Sequence, residues 1–133
     1  MTTITTETVS TAEREPVSIY EAVGGRAALR AAVDVFYRRL LADPELARFF
    51  PAGVGVRHRA FLVTALGDAL GGPENYRGPH LADSHRDLGI TDAQFDRTAG
   101  HLSDALDELA VPRPLTDQII GIVAGLRPVI VTA

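Results

Sequence analysis

The stretch RAALRAAVDVFYRRLLAD, residues 26–43, decides the fold class. Val33, Phe36, Tyr37, Leu40 and Leu41 recur in it at intervals of three and four. At about 3.6 residues per turn, that spacing brings them onto one face of a helix. Arg30, Asp34, Arg38 and Arg39 fall mostly off the stripe, so one face is apolar and the other charged. Asp43 precedes Pro44, and a residue before proline disfavours helical backbone, so the helix ends there.

Upstream, Ser18 is suited to cap a short helix, SIYEAV, which Gly24 and Gly25 terminate. Residues 1–17 are Thr, Glu and Ser with few large apolar groups, too little to bury and order, and read as a disordered tail. The domain therefore runs over 18–133. Downstream, PELARFF forms a helical turn that stops at Pro51, and PAGVGV is a loop. RHRAFLVTALGDAL resumes helical periodicity, with His58, Phe61, Leu62, Ala65 and Leu66 on a common side. GGPENYRGP is a loop by its glycines and prolines, and HLADSHRDL is a short segment ending at Gly89. Thr91 and Gln94 form a capping box for a helix with Phe95, Ala99, Leu102, Leu106 and Leu109 inward. After Pro112 and Pro114, LTDQIIGIVAGLRPVIV forms one last helix. Nothing alternates with period two over a useful length. The class is all-α.

Composition narrows the function. A chain of 133 residues suits one domain, large enough for a core and an enclosed cofactor. Its 13 basic residues are scattered arginines and its net charge is -4, which speaks against a nucleic-acid partner. Without cysteine there are no disulfides, iron–sulfur clusters or thiolate zinc sites, so a metal would fall to histidine or carboxylates. No apolar run approaches the roughly 18 residues of a membrane span, and the N-terminus lacks the basic start and apolar stretch of a signal peptide. The expectation is a cytoplasmic protein.

Four histidines, His58, His80, His85 and His101, are available to hold a metal. A neutral imidazole is the usual ligand for haem iron or a transition metal in a cysteine-free protein. His85 stands out by context. It follows a loop rich in glycine and proline and lies on a segment too short to be a packing helix, which can adjust to a bulky planar ligand. Tyr37 stands out because a tyrosine inside an apolar stripe must find a partner for its hydroxyl. That partner is either a backbone carbonyl or a polar ligand. His80 reads as a surface residue, and His101 as a hydrogen-bonded structural residue in or near the core.

The pieces SIYEAVGG, VDVFYRRLLADPELARFF, GGPENYRG, SHRDLGIT and QFDRTAGHLSDALDELAVP, in this order and at these separations, resemble the group I truncated haemoglobins over about residues 17 to 130. The resemblance implies a two-over-two helical sandwich around haem b. It implies His85 as the proximal iron ligand and Tyr37 as the distal hydroxyl that hydrogen-bonds dioxygen. Phe36 would be a packing residue, Phe50 would wedge against the porphyrin face, and Phe95 would lie against the haem edge on the proximal side. The implied activity is reversible binding of dioxygen and other diatomic ligands, nitric oxide and carbon monoxide among them. Nitric oxide dioxygenation, with an unidentified reductase, is left open.

The distal helix departs from the family pattern, which often carries glutamine or leucine where His58 stands. In an ungapped register His58 takes the first ligand-facing position and Leu62 the second. In a register shifted by four residues, His58 takes the second, so it faces the cavity in both. Two roles stay open for it: hydrogen bonding to the gas ligand, or direct coordination of iron. The second role makes a six-coordinate, bis-histidine protein for electron transfer or for redox or gas sensing the alternative reading. Arg57 and Arg59 flank His58 on a helix edge that suits either haem propionates or plain solvation.

Overall fold

A computed structural model describes residues 17–73 and 85–133. The sequence-based tail lies, apart from Val17, outside the described residues, as do Tyr76 and His80. Every regular element among the described residues is helical: α1 (Ile19–Val23), α2 (Gly25–Leu41), α3 (Pro44–Ala47), α4 (Val56–Ala69), α5 (Asp92–Glu108), α6 (Arg113–Ala124) and α7 (Arg127–Ile130).

Local chemistry accounts for most of the boundaries. The Glu21 amide donates to Ser18 Oγ at 3.1 Å, which caps α1. Gly24 ends it at φ 116°, and a Cβ there would meet the Ala28 Cβ at 2.9 Å, so the abrupt turn into α2 requires glycine. Asp43 caps α3 by accepting from the Glu45 amide at 3.0 Å, with Pro44 in its first turn. Thr91 and Gln94 form the expected capping box on α5.

α2 is the central element. It packs against α4 on one side and α5 on the other, while α6 lies on α5 and α1 bridges α2 and α6. Leu29, Val33, Phe36 and Leu40 of α2 meet Val63 of α4, Leu102, Ala105 and Leu106 of α5, and Ile119 of α6 in one buried cluster. Burying each of the larger aliphatic side chains stabilises the fold by roughly 1.5–3 kcal/mol.

Three details differ from the sequence reading. In α4 the buried positions are Val63 and Gly67, with Leu62, Ala65 and Leu66 half-buried and Phe61 39% exposed. Apolar residues occupy so wide an arc of this helix that periodicity could not choose its inner face. In α5 the buried small residue is Ala105, while Leu109 is 39% exposed. The helix stops at Glu108 and the chain turns through Ala110 at φ 62°, which carries Leu109 off the inward stripe. The last helix is two helices. Pro128 lacks an amide hydrogen and its ring would crowd the Ala124 carbonyl, so α6 ends at Ala124 and α7 starts afresh.

Candidate functional site

Tyr37 lies on the stripe of α2 that faces α4 and is 4% exposed. Its ring centroid is 5.3 Å from Phe36, 5.8 Å from Phe50 and 5.4 Å from His58, the last two edge to face. Phe50 and His58 close the triangle at 5.7 Å. Such edge contacts set an aromatic edge against a ring face and hold the rings at fixed angles. Among the described residues no group accepts a hydrogen bond from the Tyr37 hydroxyl. Burial pushes its pKa up to about 12, against the opposing charge of Arg59, so the phenol stays protonated and able to donate.

Phe50 reaches this cluster because the corner between α2 and α3 is pinned. The buried Asp43 carboxylate accepts from Arg97 and lies 2.8 Å from His101 Nε2, both on α5. The Arg97 guanidinium first, then His101, hold Asp43 well below the usual carboxylate range. Next to it Gln94 Nε2 donates to Glu45 at 2.9 Å. α3 is thus fastened to the first turns of α5, and Phe50, whose amide donates to the Ala47 carbonyl at 2.9 Å, follows from it. Sequence reading treats Asp43 only as a helix stop; its partners lie more than fifty residues away, beyond any local signal. His101 is hydrogen-bonded at the edge of the core, as its mid-helix position suggests.

His58 stands in the first turn of α4, exposed on its outer side and packed edge-on to Tyr37 and Phe50 on the other. Its imidazole pKa is lowered from the ordinary value, by partial burial first and then by the charges of His85 and Arg59. His58 therefore lies within range of the charge of His85. Of its flanking arginines, Arg57 turns over the Phe61 ring at 5.4 Å. Arg59 turns inward, toward Tyr37. Leu62, one turn beyond His58, is half-buried beside the core cluster.

His85 is half-buried and helical, and its carbonyl accepts from the Leu88 amide at 3.1 Å. The chain just after it is held by the C-terminus. The Gly89 amide donates to Thr132 Oγ1 at 3.1 Å, and the Thr132 and Ala133 amides donate to the Ile90 carbonyl at 3.0 and 3.1 Å. Arg127 pairs with Asp92 and Asp96 and lies 4.6 Å over the Phe95 ring. Phe95 is buried at 4% yet stands outside the main core cluster. This clasp was not legible beforehand, because its residues look like an ordinary apolar C-terminus.

The donor set is two imidazoles and one neutral phenol among phenylalanines and leucines. Carboxylates, the ligands of hard cations, are absent from the triangle. No group of three or more metal-binding side chains is found among the described residues, so His58 and His85 would suit a metal whose remaining ligands come from a porphyrin. The apolar rings suit the faces of such a group.

The family model for bacterial-like globins matches residues 18–132. A group 1 truncated haemoglobin of Mycolicibacterium paratuberculosis is 42% identical over 118 residues, covering 89% of this chain and 87% of that protein. One from Tetrahymena thermophila is 35% identical over 112 residues, covering 81% and 86%. Among solved structures, the truncated haemoglobin of Tetrahymena pyriformis in its Fe(III) form superposes with a TM-score of 0.82 at 28% identity, covering 86% of this chain and 98% of that one. The 2/2 haemoglobin of a Synechococcus species, in the cyanomet state with covalently attached haem, gives 0.82 at 32% identity, covering 88% and 100%.

Proposed function

The chain belongs to the bacterial-like globin family as a group 1 truncated haemoglobin, and on that premise we propose that it holds haem b through His85 and reversibly binds dioxygen and other diatomic gases beside Tyr37. The observation that carries this reading is the meeting of Tyr37, Phe50 and His58 at one place, within range of the charge of His85. Haem, when bound, supplies the iron at which a gas binds and the electron that its oxidation releases.

The chain's own residues do the rest. His85 holds the iron, on a segment kept in place by the C-terminal clasp. Phe50 and Leu62 on one side and Phe95 on the other wall the group off from water. The buried, protonated Tyr37 hydroxyl donates toward the gas, favouring a ligand that gathers negative charge over one that does not. Oxidation of nitric oxide to nitrate by dioxygen takes one further electron from the iron, so that activity would also require a reductase.

A second reading is favoured by His58. Its pKa is lowered by partial burial first and then by the charges of His85 and Arg59, which favours the neutral ring with a lone pair to offer, and coordination from both His58 and His85 would give a six-coordinate resting state.

Absorption spectra test both readings. Purified protein given haemin should show a Soret band, and after reduction under carbon monoxide the spectrum of a histidine-ligated carbonyl. His85→Gly should lose stable haem binding with its helical content largely intact, and added imidazole should restore it. Unaltered haem affinity in His85→Gly without imidazole would refute the proximal assignment. A low-spin ferric spectrum that disappears in His58→Ala supports coordination by His58; one that persists excludes it.

A further inference from the structure

An arginine in the first turn of a surface helix ordinarily extends into water. Arg59 does not: its side chain is only 28% exposed and contacts three residues around the site. Nη1 donates to Asp34 Oδ1 of α2 at 3.1 Å, and Nε donates to the Val54 carbonyl in the loop before α4 at 3.5 Å. Between these anchors the guanidinium stands 5.7 Å from the centroid of the Tyr37 ring, on its face. Asp34 and Tyr37 are three residues apart on α2, so one helix presents both the anchor and the ring.

We propose that Arg59 is a positioning residue for the gas site: fixed by Asp34 and Val54, its cation over the Tyr37 ring holds that ring in place and strengthens the Tyr37 hydroxyl as a hydrogen-bond donor. The inference rests on the reading that Tyr37 faces the gas.

The physical reason is the ring quadrupole. A cation over the face draws π density toward itself, which withdraws charge from the phenol oxygen and makes its O–H a better donor. Burial of Tyr37 keeps water from screening the effect. The opposing charge, Asp34, is 60% exposed and therefore largely solvated, so it anchors the guanidinium without cancelling its field inward. The nearby Arg57 lies over Phe61 instead and does not replace it. The result is selectivity. A donor strengthened in this way retains dioxygen, which draws electron density from iron, more than carbon monoxide, which draws little.

The test uses the haem-loaded full chain and four variants. Arg59→Met keeps the aliphatic stem and removes the charge, Arg59→Lys keeps charge without the planar fork, Asp34→Asn weakens the anchor, and Tyr37→Phe is the reference. Arg59→Met should speed dioxygen release roughly three- to fivefold, the scale of one cation–π interaction. Carbon monoxide release should stay within about twofold, and the C–O stretch should move to higher frequency as positive potential is lost. Arg59→Lys should recover part of the effect, and Asp34→Asn should fall between wild type and Arg59→Met. Without haem, the Arg59 side-chain NMR signals should carry a ring-current shift that Tyr37→Leu abolishes. The proposal is overturned if Arg59→Met leaves dioxygen release and the C–O stretch unchanged while Tyr37→Phe alters both. It is equally overturned if Arg59→Met speeds release of both gases alike. If Tyr37→Phe alters nothing, the assignment of Tyr37 itself fails, and the role of Arg59 with it.

Discussion

Thr116→Val should make this protein more stable, although it removes a polar group from a helix that closes the core. Thr116 lies in the first turn of α6 and has 0% exposure. Its amide donates to the Pro112 carbonyl at 3.0 Å, and the Leu115 amide donates to the same carbonyl at 3.0 Å. A helical threonine hydroxyl usually returns to the carbonyl three or four residues back. Here that acceptor is already shared by two amides, and among the described residues Thr116 Oγ1 has no partner. A buried hydroxyl left unpaired costs about 1–3 kcal/mol. Valine has a similar shape and helix propensity, so removing the hydroxyl should recover about 1–2 kcal/mol of that. For a domain of this size the melting temperature should rise by about 3–8 °C. The assay is thermal unfolding at a fixed haem-to-protein ratio, because cofactor binding shifts the apparent midpoint. Thr116→Ser is the control: it keeps the hydroxyl, loses the methyl group and should be less stable than wild type. A Thr116→Val protein that melts below wild type would refute the reasoning and mean that the hydroxyl is satisfied.

Two further outcomes follow from the site. Tyr37→Phe should speed dioxygen release by about tenfold or more, since a hydrogen bond toward a charged acceptor is worth about 1.5–3 kcal/mol, with carbon monoxide release as the control; stopped-flow displacement reads both, and an unchanged dioxygen rate means the hydroxyl points elsewhere. Asp43 should show in the acid limb of stability. Its folded pKa is depressed by Arg97 and His101, so its stabilisation is complete above the unfolded value of about 4 and is lost as pH falls from there toward the folded value. Asp43→Asn should therefore melt lower than wild type near neutral pH, and the gap should narrow on acidification below about pH 4. A gap that stays constant with pH would mean the carboxylate charge is not what holds the corner.

What could be read beforehand divides along a physical line. Ser18, Gly24 and Thr91 act within three residues of themselves, through a side-chain oxygen on a nearby amide or a backbone angle open to glycine. Those signals survive in one sequence, and with the stripe of α2 they sufficed for the all-α class and most helix ends. The inner face of α4 was not legible, because Phe61, Leu62, Val63, Ala65 and Leu66 crowd too much of its circumference for a moment to point anywhere. Nor was the break before α7, where a proline late in an apolar run decided the geometry.

The site divides in the same way. Tyr37 and His85 could be singled out because each is chemically odd where it sits, and His58 because it departs from the pattern of the family the chain resembles. The groups that fix them could not: Arg59, Arg97 and Arg127 look like scattered surface charge, and a flexible side chain with five donors keeps no periodicity that reveals its partner. Yet each secures a different part of the site. Arg97 holds the corner that carries Phe50, Arg59 holds Tyr37, and Arg127 covers Phe95 and ties α7 to the start of α5. A net charge of -4 with every lysine or arginine position an arginine therefore says nothing of how these cations are used. These three arginines are fasteners, and lysine in their place would keep the charge while losing the planar fork of the guanidinium.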